Sequence, residues 1–147
     1  MTGGPCFTFP GNLSGGFANP LPVIISDEAG RGHASELDRP GNWRPGGWAE
    51  LIVGHRGSWA FALDGSSVVS ICHTPAASDN ASEAGVWTRE DYRGRGLAPS
   101  VLRAWWARER QFKDALFYST SKDNQASQAV ARKLGLESLG WLWAAAQ

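Results

Sequence analysis

Two glycines alternate with two arginines at a point where a predicted strand gives way to a predicted helix. The segment reads Arg93-Gly94-Arg95-Gly96-Leu97-Ala98. Glycine adopts backbone angles that other residues resist, and it lets a ligand approach the main chain. The first turn of a helix has N–H groups without partners, and with the helix dipole these donors favour phosphate. The segment therefore predicts an anion site, to which Arg93 and Arg95 add charge-assisted contacts.

Two well-known phosphate motifs do not fit this turn. A dinucleotide-binding turn needs a third glycine three positions after Gly96, where Pro99 stands, and no acidic ribose ligand is evident. A P-loop would end in Gly-Lys-Ser or Gly-Lys-Thr, and this turn does not. The structural alternative is a generic strand-to-helix connection that contains two glycines.

The elements on either side of the turn must position it. Residues 83–88 are typical of a strand, and the next helix shows an apolar residue every three to four positions. Pro99 fits the first turn of that helix, where its missing N–H costs no helical bond. The apolar face of the helix consists of Leu97, Val101, Leu102, Trp105 and Trp106.

The remaining second half of the chain predicts an alternation of strands and helices. Asp64-Gly65 is a strong hairpin signal between strands at residues 59–63 and 67–73. We expect a loop over residues 76–81, a strand over 116–119 and a final strand over 136–143. Between the last two strands, Ser121 or Asp123 caps a second helix, and Gly135 ends it.

Residues 1–57 are richer in Gly, Pro and Asn and predict only short elements. These are strands at residues 6–10 and 23–26 and a short helix that Gly54 ends. The order of elements along residues 1–147 predicts a single α/β domain with a mixed sheet and helices packed on its faces. In that domain, residues 1–57 form an irregular part and residues 58–143 the regular core.

The composition limits the class of protein. Fourteen Lys and Arg balance fourteen Asp and Glu, so the chain has no general attraction to nucleic acid or to an anionic membrane. A hydrophobic content of 42% with 19% charged residues argues against disorder. Two distant cysteines, Cys6 and Cys72, predict neither a disulfide framework nor a metal site. With no signal peptide or membrane-length apolar run, the expected compartment is the cytoplasm.

The glycine turn resembles the Arg/Gln-x-x-Gly-x-Gly/Ala motif of the GCN5-related N-acetyltransferases (GNAT). Three neighbouring motifs agree in order: Glu83-Ala84-Gly85-Val86-Trp87-Thr88, then Phe117-Tyr118-Ser119-Thr120-Ser121, then a helix from Asp123-Asn124-Gln125-Ala126-Ser127 to Gly135-Leu136. The resemblance covers residues 58–143. It implies a GNAT-like mixed, mostly antiparallel twisted sheet with helices on both faces.

The start of the chain, Gly4-Pro5-Cys6-Phe7-Thr8-Phe9-Pro10, resembles a bacterial GNAT subfamily whose members usually carry additional sequence before this point. The chain is short there by comparison. The resemblance therefore implies a substrate site that depends on another subunit or lacks a part.

The resemblance implies acetyl-CoA as the cofactor and assigns residues to it. The main chain of Val86 and Thr88 would bind the pantetheine arm, and an N–H near Val86 or Trp87 would face the thioester carbonyl as an oxyanion hole. Asn124 and Ser127, at the start of the last helix, complete the set, although a helix cap is the alternative for Asn124. The pyrophosphate would lie on the main chain of Arg93, Gly94, Arg95, Gly96, Leu97 and Ala98.

The implied reaction is direct transfer of an acetyl group to the primary amine of a small molecule, with no metal. A protonated amine needs a base, and Glu83 is the first candidate, with His73 as the second. The alternatives are a surface carboxylate and a solvated histidine. Many family members use a helix tyrosine as the acid, but that position is Ala131 here. Tyr118, on the strand facing the cleft, either replaces it or belongs to the core.

Two further expectations concern function and assembly. A CoA-binding module or sensor without transferase activity is the alternative to the enzyme, because the helix tyrosine is absent. Trp141 and Trp143 alternate on the last strand, which favours an aromatic interface in a homodimer. Trp43, Trp48 and Trp59 pack in the fold or form an aromatic wall for an amine.

Overall fold

The computed structural model describes residues 2–13, 21–55, 57–120 and 124–144, and their strands form one seven-stranded sheet. The strands in chain order are β1 (Thr2–Thr8), β2 (Val23–Ile25), β3 (Ala60–Asp64), β4 (Ser67–Ala77), β5 (Ala81–Thr88), β6 (Ala115–Ser119) and β7 (Glu137–Ala144). The described α-helices are α1 (Glu28–Ala34), α2 (Pro45–Val53), α3 (Leu97–Glu109) and α4 (Gln125–Leu134).

The order of strands across the sheet is β2-β3-β4-β5-β6-β1-β7. Strands β5 and β6 are parallel, and every other neighbouring pair is antiparallel. A parallel pair needs a crossover connection, and the glycine turn and α3 supply it between β5 and β6. The mixed, mostly antiparallel sheet confirms the predicted fold class.

The sheet has a separate core on each face. One core lies beneath α3 and α4 and contains Val101, Trp105 and Leu134. The other lies beneath α1 and α2, where Trp59 stacks on Phe61 with ring centroids 4.0 Å apart. Because side chains alternate along a strand, β5 contributes to both cores. This layering places helices on both faces, as the sequence predicts.

A buried carboxylate ties α3 to the middle of the sheet. Glu109 is 3% exposed, and its Oε2 accepts a hydrogen bond from the Ser58 main-chain N–H at 3.0 Å. The Thr74 hydroxyl lies 3.3 Å from the same oxygen and accepts from Trp105 Nε1 at 2.9 Å. Buried polar groups need such partners. The network therefore joins the C-terminal end of α3 to β4 and to the residue before Trp59.

Three predicted boundaries were wrong. The first strand is Thr2–Thr8 rather than residues 6–10, because pairing with β6 and β7 decides its extent. The loop predicted over residues 76–81 is shorter and covers only residues 78–80, since β4 runs to Ala77 and β5 begins at Ala81. An irregularity in the pairing between His73 and Ala76 lets β4 continue past Pro75.

Residues 1–57 contain more regular structure than predicted, because α1 was missed. Asp27 caps that helix by accepting a hydrogen bond from Gly30 N at 2.7 Å. Gly54 ends α2 and Gly135 ends α4, both with positive φ, as predicted. The caps predicted for α4, Ser121 and Asp123, lie outside the described residues.

Candidate active site

A groove of about 690 Å³ runs between β5, the glycine turn and α4. It lies where the sheet opens, because the last pair between β5 and β6 in the described part of the chain is Ala84 with Tyr118. The lining residues are Val86, Trp87, Thr88, Tyr92, Arg93, Gly94, Gly96, Leu97, Ala98, Pro99, Tyr118, Asn124, Ala126, Ser127, Ala129, Val130 and Lys133.

The pairing of β5 with β4 decides which main-chain groups face this groove. Arg89 N donates to Val69 O at 2.8 Å, and the same register continues toward His73 and Gly85. In an antiparallel ladder the residues of one strand point their N–H and C=O groups alternately toward and away from the partner. Val86 and Thr88 therefore point these groups away from β4. They face the groove, beyond the last pair between β5 and β6.

The glycine turn forms the next wall of the groove. Gly94 and Gly96 have φ of +78° and +79°, in the left-handed region that favours glycine. Gly96 is the N-cap of α3, and no side chain caps this end. The N–H groups of Leu97 and Ala98 in the first turn lack helical acceptors. These donors and the helix dipole would favour an anion in the groove beside the turn.

The arginines of the turn have different surroundings. Arg93 lines the groove, and its Nε donates to the Thr88 carbonyl at 3.3 Å. Arg95 is outside the lining and lies over the Tyr92 ring at 4.7 Å, as does Arg89. The Tyr92 hydroxyl donates to the Asp64 carboxylate, which raises the pKa of that phenol. This stacking ties the turn to the β3–β4 hairpin.

Helix α4 closes the groove on the third side. Asn124 is its N-cap, since the side-chain oxygen accepts from Ser127 N at 3.0 Å. The amide of an asparagine also has two donors, so the cap and a ligand contact are compatible. Lys133 lines the groove too, and the sequence reading missed it. A helical period that places 126, 129, 130 and 133 on one face was the available signal.

Tyr118 lies where the groove meets the core. It is 3% exposed, and the Ser127 side chain hydrogen-bonds to it. Burial raises the pKa of Tyr118 to about 12. Ala131 is fully buried in the same core. The phenol on β6 therefore lies in the same core as Ala131, where that position of α4 has only a methyl group.

The two candidate bases lie outside the groove lining. His73 is on β4 opposite Gly85, and burial lowers its pKa. A Cβ on Gly85 would meet His73 Nε2 at 3.0 Å, so the imidazole lies directly over the Gly85 main chain. Glu83 is half-buried on the same strand, opposite Ala76. His73 thus pairs with the neighbour of Val86, and Glu83 lies three residues before Val86, toward the N-terminal end of β5.

No cluster of His, Cys, Asp and Glu among the described residues has the arrangement of a metal site. No helix in the same part of the chain is both long and apolar enough to cross a membrane. Cys6 and Cys72 are buried and unpaired, and burial raises the pKa of Cys72.

Comparison with known proteins connects this chain to one family. A family model described as an acetyltransferase (GNAT) domain matches residues 41–137. No curated protein sequence matches the chain significantly. Among solved structures, a GNAT-family acetyltransferase from Novosphingobium aromaticivorans superposes with a TM-score of 0.66 at 19% identity, over 95% of this chain and 61% of its own.

Two other solved structures are similar. An acetyltransferase of the GNAT family from Colwellia psychrerythraea has a TM-score of 0.68 at 14% identity, over 95% of this chain and 53% of its own. Aminoglycoside N-acetyltransferase AAC(6')-Iy in complex with CoA has a TM-score of 0.62 at 15% identity, over 86% of this chain and 98% of its own. The chain thus spans little more than half the length of the Novosphingobium and Colwellia proteins.

Proposed function

We propose, from the premise that this chain belongs to the GNAT acetyltransferase family, that it transfers an acetyl group from acetyl-CoA to a primary amine. The observation that carries the proposal is the groove itself. It joins the main-chain groups of Val86 and Thr88 that point away from β4 to the uncapped N-terminus of α3 at Gly96. A diphosphate with an extended amide-containing arm fits these two features, because the turn takes the anion and the strand pairs with the amides.

The proposed reaction is a direct transfer in which a main-chain N–H stabilises the developing charge. The amine nitrogen attacks the thioester carbonyl carbon, a C–N bond forms, and the C–S bond breaks. The Val86 N–H points into the gap and would donate to the oxygen that becomes negative during the attack. One such donor is worth about 3 kcal/mol in the transition state.

His73 is the base that the geometry favours, with Glu83 as the alternative. Its Nε2 lies over Gly85, next to Val86, and burial lowers its pKa. The imidazole is therefore neutral near pH 7 and can accept the ammonium proton. The rate should fall as pH drops through this lowered pKa, because the protonated ring cannot accept a second proton.

Tyr118 assists the leaving group as a hydrogen-bond donor rather than as a proton donor. Its pKa is about 12. A thiol, with a pKa of about 8.5, is a much stronger acid. The phenol thus keeps its proton beside a thiolate, stabilises it through a hydrogen bond, and leaves final protonation of the sulfur to solvent.

Cofactor binding is tested with a matched pair of glycine variants. Gly96 and Gly54 are both helix caps, with φ of +79° and +81°. Gly96→Ala and Gly54→Ala should suffer similar backbone strain, but only Gly96 lines the groove. Saturation with acetyl-CoA at 100 times Kd is worth about 2.7 kcal/mol, or about 9 °C in melting temperature for a domain of this size. The shift should survive in Gly54→Ala and shrink in Gly96→Ala; no shift in the unmodified protein rejects the proposal.

The base is tested by pH profiles of kcat/KM. His73→Gln should lower kcat/KM and remove its fall at acidic pH, whereas Glu83→Gln should leave that fall in place. The opposite pattern would transfer the role to Glu83. Equal binding of acetyl-CoA by both variants is the required control.

A CoA-binding module without transferase activity is the second candidate. The fully buried Ala131 favours it, because α4 has a methyl group and no phenol at the position where many family members have the tyrosine that protonates the leaving thiol. This candidate predicts the same thermal shift but no release of free thiol with any primary amine. Thiol release above the rate of spontaneous hydrolysis would exclude it.

Three finer parts of the proposal concern the acceptor and the setting. We place the acceptor among small molecules, the activity in the cytoplasm, and the chain in a homodimer. The two buried, unpaired cysteines support a reducing compartment. Light scattering coupled to size exclusion tests the dimer, and fractionation of cells tests the compartment. The side chains of Trp141 and Trp143, from which an interface was predicted, lie outside those described.

A further inference from the structure

One tryptophan on the α1–α2 face of the sheet is surrounded by aromatic rings. The centroid of Trp43 lies 5.6 Å from that of His73, 5.9 Å from that of Trp87 and 6.4 Å from that of Trp48, all at steep interplanar angles. Trp48 and Trp59 are buried in the core below. Trp43 and Trp87 are only half-buried. We call Trp43, His73 and Trp87 the ring cluster.

The ring cluster lies across the sheet from the groove but shares a strand with it. The side chain of Trp87 packs with the core beneath α1 and α2, and that of Val86 packs with the core beneath α3 and α4. The same residues line the groove where β5 has lost its β6 partner after Ala84. Ligands on the two faces can therefore meet at the open edge of β5.

Gly85 is the thinnest point between the two sides. Its missing side chain leaves room for His73 Nε2 and Pro75, whose Cγ would lie 3.1 Å from a Cβ. The Nε2 atom of His73 thus lies over the main chain of Gly85, the residue before Val86. An amine held by the rings would therefore have two groups on one side: His73 Nε2 as the proton acceptor, and the thioester that is proposed to lie beside Val86.

The charges around the ring cluster limit which amine fits. Arg39 donates a hydrogen bond to the Trp43 carbonyl, and Arg44 follows as the N-cap of α2. On β5, Glu83 shares its face with Trp87, because alternate residues of a strand point the same way. A polycation would meet the Arg39 guanidinium held beside Trp43, whereas one ammonium can lie against the aromatic faces and is attracted from farther along the same face by the Glu83 carboxylate.

We propose that the ring cluster of Trp43, His73 and Trp87 binds the acceptor, and that the acceptor is a monoamine with an aromatic or aliphatic body rather than an aminoglycoside or a polyamine. This inference rests on the proposed acetyl transfer. The rings cover the apolar body, and the single amine lies toward His73. It distinguishes the chain from the aminoglycoside N-acetyltransferase to which its fold is similar.

The test measures thiol release from acetyl-CoA with phenethylamine, hexylamine, spermidine and neamine. Phenethylamine and hexylamine should give kcat/KM values at least about tenfold above those of the two polycations. Trp43→Leu should raise KM for phenethylamine about tenfold and leave the Kd of acetyl-CoA unchanged. Trp106→Leu is the matched control, since Trp106 is also half-buried but lies on α3 outside the ring cluster, and it should leave this KM unchanged.

The outcomes separate this inference from the proposed function. If acetyl-CoA gives no thermal shift, both fall together. If acetyl-CoA binds but spermidine or neamine is the better substrate, the acceptor class is overturned and the proposed acetyl transfer stands. If acetyl-CoA binds but none of the four amines releases thiol, the acceptor class is overturned and the CoA-binding module without transferase activity is favoured. An unchanged KM in Trp43→Leu overturns the ring cluster as the binding surface.

Discussion

Replacing Gly85 by alanine adds one methyl group at the place where β5 is thinnest. The new Cβ would lie 3.0 Å from His73 Nε2, 3.1 Å from Pro75 Cγ and 3.2 Å from Pro75 Cδ. All three contacts are tighter than ordinary van der Waals separations. The proline ring cannot move far because β4 pairs with β5 on both sides of it, at His73 and at Ala76. We therefore expect the imidazole to be displaced.

The cost follows from overpacking of a closely packed region. An extra methyl group there typically destabilises a protein by about 1 to 3 kcal/mol. The entropy of unfolding scales with length, so a chain of 147 residues loses about 3 °C in melting temperature for each kcal/mol. Gly85→Ala should thus melt about 3 to 10 °C lower. Because Gly85 is outside the groove lining, the Kd of acetyl-CoA should stay the same.

Gly32→Ala supplies the control for this melting experiment. Gly32 lies within α1, and a Cβ there would meet no atom within 4 Å. Alanine in place of a helix glycine stabilises by about 0.5 to 1 kcal/mol, so this variant should melt about 2 to 3 °C higher. A Gly85→Ala protein that is as stable as the unmodified one would show that His73 does not lie over the Gly85 main chain.

Three other changes test separate parts of the structure. Between about pH 10 and 12 the unfolded phenol of Tyr118 ionises while the folded one stays protonated, so stability falls with rising pH. Melts of Tyr118→Phe should lack that alkaline loss; an identical pH dependence contradicts the burial. Asn124→Ala removes the cap of α4 and should cost about 1 kcal/mol in denaturant unfolding, whereas Asn124→Asp should keep most of it. Glu109→Ala leaves the Ser58 N–H without its buried acceptor, whereas the Thr74 hydroxyl still donates to the Ser58 carbonyl at 2.8 Å; the change should cost about 1 to 3 kcal/mol, more than Glu109→Gln.

Local signals explain which elements were predicted from the sequence. The hairpin at Asp64-Gly65, the helix after Gly96 and the ends of α2 and α4 all depend on residues within a few positions of one another. Helix α1 was missed because Gly30 and Gly32 weaken its pattern, and its stability comes from contacts with the rest of the fold. A Cβ on Gly30 would lie 1.6 Å from the Ile25 carbonyl oxygen, so glycine is required there by packing.

The candidate site was predictable where the main chain makes it and not where side chains do. The turn from Arg93 to Ala98 lines the groove with one exception, Arg95, which stacks on Tyr92 instead. That stacking depends on a hydrogen bond to Asp64, which is distant in sequence. In the same way, the ring contacts of Trp43 with His73 and Trp87 depend on how α2 packs over the sheet.

The position of β1 between β6 and β7 has a consequence for folding during synthesis on the ribosome. Cys6 and Ser119, 113 positions apart, pair across β1 and β6. The ribosome synthesises β1 long before β6 and β7, so both edges of this strand are unpaired during most of synthesis. We expect the nascent chain to need shielding during that interval, by a chaperone or by the ribosome surface. Stalled or truncated chains that end before Ala115 should aggregate through the unpaired strand, and the completed chain should not.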